Sequence, residues 1–310
     1  MVSTALVSPK GVVGLESVVY GVEDVAKSTK FFGDYGFEPI EAGKSGSTLL
    51  TPEKTTIAIR DMHDESLPAP IEDGSTVRET IWGVDTQAHL DAIVADLSRD
   101  LPVTTDADGT AHTVDPMGNG VGLRVTAIEP VHMEPLTFNA VGEAMRVNAR
   151  AKVYRYAEPQ HLGHIVFLTS HFDETFDFYT NRLGFWVSDY IDGLGAFLRC
   201  SSDHHNVFLV RSERNGLNHI SCGVSGVDEI MGGFEKMTGE GWEPIWGLGR
   251  HLIGSNMFYY FRNPSGGFVE YYADLDCIMD PEKWEPGHFD PKDPDALAVW
   301  GGLPPQEFLE

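Results

Sequence analysis

Apolar positions along the chain fall into short β-branched and aromatic runs separated by polar, helically spaced stretches. In "GLESVVYGVEDVAKSTKFFGDYGFEPI", Gly14 to Ile40, an apolar run leads through a polar cap region into an amphipathic segment ending at Gly-Phe. That order predicts a strand, a helix and a second strand. It returns in "LGHIVFLTSHFDETFDFYTNRLGFWVS", Leu162 to Ser188. Twenty residues separate Glu16 from Gly36, and twenty separate His164 from Gly184. The aromatic pairs Phe31-Phe32 and Phe178-Tyr179 are displaced from this register by one residue.

Two more echoes keep the sequence order. "ETIWGVDTQAHLDAIVADL" from Glu79 parallels "HISCGVSGVDEIMGGFEKM" from His219, aligned on Gly83-Val84 and Gly223-Val224. "DPMGNGVGLRV" from Asp115 parallels "NPSGGFVEYYA" from Asn263, aligned on Pro116 and Pro264. Both halves therefore read as strand, helix, several strands, helix and a closing hairpin. In the second half Asn263-Pro264-Ser265-Gly266 is the predicted turn of that hairpin. A strand–helix–strands unit cannot cover its own sheet, so units are expected to pair edge to edge or to pack. The predicted class is α+β, with two tandem domains each built from paired βαβββ modules. The expected divisions are residues 10–127, a connection over 128–158, a second domain over 159–279, and a tail over 280–310. The tail carries Trp284 and Trp300 and is expected to pack on the body rather than dangle.

One residue breaks the pattern. In "GFVEYYAD", Phe268, Glu270 and Tyr272 share a strand face, and a carboxylate there is costly without a cation beside it. His164 in "LGHIVFL" and His219 in "LNHISCGV" interrupt other apolar strands near equivalent repeat positions. Singly, each histidine reads as an ordinary core or surface residue with a hydrogen-bond partner. Together, two imidazoles and one carboxylate suit a facial triad on a divalent metal. Zinc also accepts such ligands, although the HExxH helix of many zinc hydrolases is absent. The N-terminal equivalents, Glu16, Glu79 and Gly122, lack both imidazoles and read as a degenerate copy. Tyr260 lies across the predicted hairpin from Glu270, and His251 enters from the preceding loop. Of the neighbours His204 and His205, only one can look into a shared cavity, because adjacent strand residues point to opposite faces.

Composition narrows the classes further. Hydrophobic residues make up 42% and aromatics 11%, enough for packed cores. At 310 residues the chain has room for about two domains. The formal net charge of −25 disfavours nucleic acid and acidic membrane surfaces as partners. Cys200, Cys222 and Cys277 show no CxxC spacing and are odd in number, which fits a reducing compartment. No apolar run is long enough to span a bilayer, and "MVSTALVSPKGVVG" lacks the features of a signal peptide. The expected location is the cytoplasm.

The ordered set "GHIVF", "HHNVFLV", "LNHIS", "GRHLIGSNMFYYFRNPSGGFVEYY" and "DPKDPDALAVWG" resembles the type I extradiol ring-cleaving dioxygenases of the vicinal oxygen chelate superfamily. The resemblance covers most of the chain and is nearest to the homoprotocatechuate 2,3-dioxygenase and 2,3-dihydroxybiphenyl dioxygenase branches. It implies that His164, His219 and Glu270 hold Fe(II), or in some members Mn(II), with O₂ as co-substrate. It further implies that His205 is an acid/base histidine, and that His251 and Tyr260 hydrogen-bond a catecholic substrate. Trp246 falls near where carboxylate-binding members place an arginine, so it is a substrate-binding candidate that weighs against a carboxylate side chain. The family resemblance also favours a homo-oligomer. Rival expectations are a hydroquinone-cleaving dioxygenase, a metal isomerase, and a sequestering protein without catalysis.

Overall fold

The computed structural model describes residues 6–133 and 136–309; the first five residues of the amino-terminal stretch lie outside them. Four modules follow one another. The first is β1 (Val12–Val22), α1 (Val25–Tyr35), β2 (Glu38–Ala42), β3 (Gly46–Leu50) and β4 (Thr56–Asp61). The second is β5 (Thr76–Val84), α2 (Gln87–Leu97), β6 (Thr104–Thr105), β7 (Ala111–Val114) and β8 (Gly120–Val125). The third is β9 (His161–Thr169), α3 (Phe172–Asp177), β10 (Trp186–Ile191), β11 (Gly195–Arg199) and β12 (Val207–Arg211). The fourth is β13 (Gly216–Gly223), α4 (Val227–Gly239), β14 (Pro244–Arg250), β15 (Met257–Arg262) and β16 (Phe268–Ala273). The tail adds β17 (Gly287–Phe289) and the short helix α5 (Gln306–Leu309).

Modules pair through their first strands. The order is β2-β3-β4-β1-β5-β8-β7-β6 in one sheet and β14-β15-β16-β13-β9-β12-β11-β10-β17 in the other. At each centre the two leading strands run antiparallel, β1 with β5 and β9 with β13. Each module's last strand returns parallel to its first. The exposed edge that a lone module would present is thereby consumed. β17 extends the second sheet by pairing parallel with β10.

The helices cover the sheets for local reasons. Asp24 caps α1 by accepting the Lys27 N–H at 2.9 Å, and Gly36, at φ 113°, ends it in a conformation glycine tolerates. In the third module α3 gives way to a π-turn over Phe178–Arg182. Leu183 N–H there reaches Phe178 O at 3.1 Å, five residues back. This wider turn takes up the one-residue displacement of Phe178-Tyr179 against Phe31-Phe32.

One apolar core runs through both sheets. Tyr35 stacks on Tyr271 with centroids 3.9 Å apart, and the Tyr271 hydroxyl donates to Tyr35 O at 2.8 Å. Trp82 packs edge-on against Phe185. Between the sheets, the described residues from 128 to 158 form no helix or strand beyond a single bridge, Ala140 to Glu143. The tail folds back on the second sheet. The Trp284 indole N–H donates to Ser188 O at 2.7 Å, whereas Trp300 is 43% exposed and is held by its backbone to Arg250. Phe308, not Trp300, is the tail's buried aromatic anchor.

Candidate metal centre

The central strands of the second sheet carry the site. β13 lies between β9 and β16, so His164, His219 and Glu270 come from three adjacent strands. One ligand atom from each lies within 4.8 Å of the others, and all three residues are buried. His164 Nε2 is 3.1 Å and His219 Nε2 3.7 Å from Glu270 Oε2. The shorter of these is within ion-pair range but not aligned as a hydrogen bond, and Oε2 has no hydrogen-bond donor. The other oxygen, Oε1, accepts from Asn256 Nδ2 at 3.1 Å.

Comparison with the first sheet tells what Glu270 needs. Glu16 is also buried in a leading strand, but its carboxylate receives Arg124 Nε at 2.6 Å, Thr126 Oγ1 at 2.5 Å and the Ala127 N–H at 2.7 Å. Glu79 meets His112 Nδ1 at 2.7 Å. Those acids are satisfied by the chain itself. Around Glu270 no lysine or arginine stands among the described residues that pair with it; its neighbours are His164, His219, His251 and Asn256. Burial opposes the charged form of Glu270, but His164, His251 and His219 outweigh it and hold the carboxyl well below the ordinary range. His219 is pushed down to about 3, chiefly by burial, so its imidazole is neutral. An ionised carboxylate beside neutral imidazole with open lone pairs is the donor state a divalent metal requires. The residues fit such an ion.

The other sequence candidates gather around a cavity of about 350 Å³ that reaches the triad. His205, His251, Tyr260 and Trp246 all line it. Burial, followed by the neighbouring histidines, holds His205 well below the ordinary imidazole range. His251 Nε2 and the Tyr260 hydroxyl are 3.0 Å apart, and His251 Nδ1 meets Leu297 O from the tail. Tyr260 pairs directly with Glu270 across the hairpin, as the sequence predicts. Trp246 presents its ring to the cavity but donates its N–H to Gly302 O at 3.1 Å. The remaining walls are mostly apolar, including Val166, Ile191, Phe197, Phe208 and Phe308, and among the described residues no lysine or arginine lines them.

Several participants are not evident in the sequence. Asn218 lines the cavity beside His219 because the β9–β13 ladder slips between Leu217 and His219, leaving Asn218 as a bulge. Its Oδ1 accepts from His219 Nδ1 at 2.7 Å, which reserves Nε2 for a ligand, and its Nδ2 donates to Phe308 O at 2.8 Å. Phe308 in turn lies against His219, with centroids 5.8 Å apart. His204 points away from the cavity and bonds instead to His205 and Asp189. Both histidines lie in the loop before β12 rather than in the strand, so it is the loop and not strand alternation that sends them apart.

Two paired-module sheets, with a two-histidine, one-glutamate cluster in the second, give the fold of tandem vicinal-oxygen-chelate domains. Residues 161–271 match the family model of the Glyoxalase/Bleomycin resistance protein/Dioxygenase superfamily. Metapyrocatechase 2 from Cupriavidus necator is 35% identical over 199 residues, 63% of this chain and 61% of that protein. The chain thus matches about six-tenths of that relative's length. Among solved structures, a Mn(II)-bound glyoxalase from Novosphingobium aromaticivorans superposes with a TM-score of 0.75 at 23% identity, covering 97% of this chain and 94% of that one. Homoprotocatechuate 2,3-dioxygenase from Arthrobacter globiformis gives 0.74 at 21% identity, covering 98% and 92%. At these identities the structures establish the shared fold. Among the described residues no helix is long and apolar enough to cross a membrane.

Proposed function

We propose that this protein is an extradiol dioxygenase that opens the aromatic ring of a catechol beside its vicinal diol, incorporating both atoms of O₂. The observation that carries the reading is Glu270: a buried carboxylate facing two imidazoles, with no lysine or arginine among the described residues paired to it. His164, His219 and Glu270 would hold Fe(II), with Mn(II) as the alternative. A bound ion of this kind supplies Lewis acidity toward the substrate hydroxyls and a path for electrons between the ring and O₂. Similarity to a protein named metapyrocatechase supports the same substrate class.

The chain's own groups then divide the remaining work. His251 and Tyr260, already hydrogen-bonded to each other, sit beside the triad and orient the substrate oxygens. His205, neutral in its buried setting, takes up a proton and returns it later in the reaction. Phe197, Phe208 and Trp246 clamp the ring and exclude water. A wall with no lysine or arginine among the described residues favours an uncharged ring substituent over a carboxylate. An isomerase drawing ligands from both domains is disfavoured, because Glu16 and Glu79 are already occupied by Arg124 and His112. Small catechols, rather than nucleic acid or membranes, are the partners, with association of copies into a homo-oligomer in the cytoplasm. The test is anaerobic loading with Fe(II), followed by oxygen uptake and yellow product measured on catechol, substituted catechols and hydroquinone. Oxygen uptake with hydroquinone but none with any catechol sinks the reading.

A further inference from the structure

His205 is backed by two buried groups that the reaction above leaves unused. Its Nδ1 lies 3.0 Å from His204 Nδ1, and His204 Nε2 lies 2.8 Å from Asp189 Oδ2. Asp189 and His205 are each 4% exposed, and His204 is fully buried. The second oxygen of Asp189, Oδ1, accepts the Gly287 N–H at 2.6 Å, where β17 pairs with β10. The Trp284 ring covers His204 with centroids 5.7 Å apart. Sheet edge, tail and the loop before β12 therefore hold this row in place.

With neutral imidazoles the protons along the row have one arrangement. A carboxylate only accepts, so His204 Nε2 carries a hydrogen. A neutral ring has one N–H, which leaves His204 Nδ1 as a lone pair. His205 Nδ1 must then be the donor, and His205 Nε2 keeps a lone pair. That nitrogen has no hydrogen-bond partner among the described residues, and His205 lines the cavity. A cationic His204 would reverse the bond to His205. The two arrangements differ in the number of protons on His204 and in which nitrogen of His205 is bare, so a tautomer spectrum tells them apart.

We propose that Asp189 and His204 are positioning residues that lock His205 in its Nδ1–H tautomer and so present a proton-accepting Nε2 to the substrate. The kinetic consequence rests on the dioxygenase reading; the tautomer does not. Asp189→Asn makes the point with little change of shape. An asparagine cannot offer an acceptor to both the Gly287 N–H and the His204 Nε2–H. Keeping the backbone bond turns its NH₂ toward His204, which moves the His204 proton to Nδ1 and the His205 proton to Nε2. The whole row inverts. His204→Gln preserves the original polarity, with its oxygen toward His205 and its NH₂ toward Asp189. His204→Leu abolishes it.

The experiment reads histidine tautomers by long-range ¹H–¹⁵N correlation on the ¹⁵N-histidine-labelled full chain, with diamagnetic Zn(II) added. Expected are a bare Nε2 on His205 in the wild type and its inversion in Asp189→Asn. An Nε2–H tautomer of His205, or a doubly protonated His204, in the wild type overturns the proposal. In the Fe(II)-loaded enzyme, Asp189→Asn and His204→Leu should lower kcat by about 10²-fold or more, whereas His204→Gln stays within about tenfold of wild type. Anaerobic catechol affinity should move little in all three. Wild-type kcat in Asp189→Asn, or equal impairment of His204→Gln and His204→Leu, also overturns it. A wild-type protein without ring cleavage sinks the dioxygenase reading instead, and the tautomer spectrum then decides the row alone.

Discussion

At the residue scale the site is held by a few polar side chains set into apolar strands. His164, His219 and Glu270 were legible because each interrupts an apolar run at a repeat-matched position, and a buried carboxylate demands a counter-charge. Asn218 was not, because the bulge that turns it inward exists only in the pairing of β13 with β9. It nonetheless fixes His219, so Asn218→Ala should weaken metal affinity by roughly 10–100-fold, the usual cost of losing a partner behind a ligand. Competition with a chelator measures this, and unchanged affinity would remove Asn218 from the role. His205 touches His164 without joining the triad, their rings lying 4.1 Å apart. His205→Phe should therefore keep metal and anaerobically bound catechol while turnover falls by about 10²–10⁴-fold. Wild-type turnover in that variant would mean that the proton resides elsewhere.

At the scale of elements, the repeat made the strand–helix–strands plan readable and also marked where copies diverge. The closing hairpins illustrate both. Asn263 accepts the Ser265 N–H at 2.9 Å through Oδ1, and its amide donates to the Tyr20 hydroxyl at 3.4 Å. Asp115 occupies the same position in the first half. Its Oδ1 accepts Met117 N–H at 3.1 Å and Asn119 N–H at 3.0 Å, and Oδ2 accepts from Tyr179 at 3.4 Å. Where the amide is neutral, the acid must be buried, and burial pushes Asp115 up to about 7. The native state thus binds a proton that the unfolded chain, near its ordinary value of 3.8, has already released. Stability from this group is intact below the unfolded pKa and is lost as pH rises toward 7, by up to ~1.4 kcal/mol per pH unit. Asp115→Asn, which restores the residue of the other hairpin, should flatten that decline and leave the variant more stable than wild type at pH 8. Parallel stability curves for the two proteins between pH 5 and 8 would contradict it. The seat of the tail was less legible. Its tryptophans promised packing, but Phe308 reaches His219 only through folding of the last element across the cavity.

Over the whole molecule, two features pull against each other. The net charge of −25 makes copies repel, yet the connection between the sheets exposes a run of large apolar side chains. Val147 and Val153 are 67% and 69% exposed, and Phe138, Met145 and Tyr156 are each more than half exposed. Such a stretch marks a surface meant to be covered, and in the homo-oligomer proposed above a second copy covers it. The opposition of the two forces fixes how association must depend on salt. Repulsion between acidic surfaces is screened over about 8 Å at physiological ionic strength, whereas apolar burial is not weakened by salt. Association should therefore strengthen as salt rises from low values to about 0.15 M. A complex held by ion pairs would weaken instead. Replacing both valines, Val147→Glu with Val153→Glu, should shift the protein toward monomer while leaving metal content unchanged, because neither residue lines the cavity. Light scattering across a salt series decides it: a mass that stays monomeric in the wild type at every salt concentration removes the oligomer, and an oligomer unaffected by the two glutamates places the interface elsewhere.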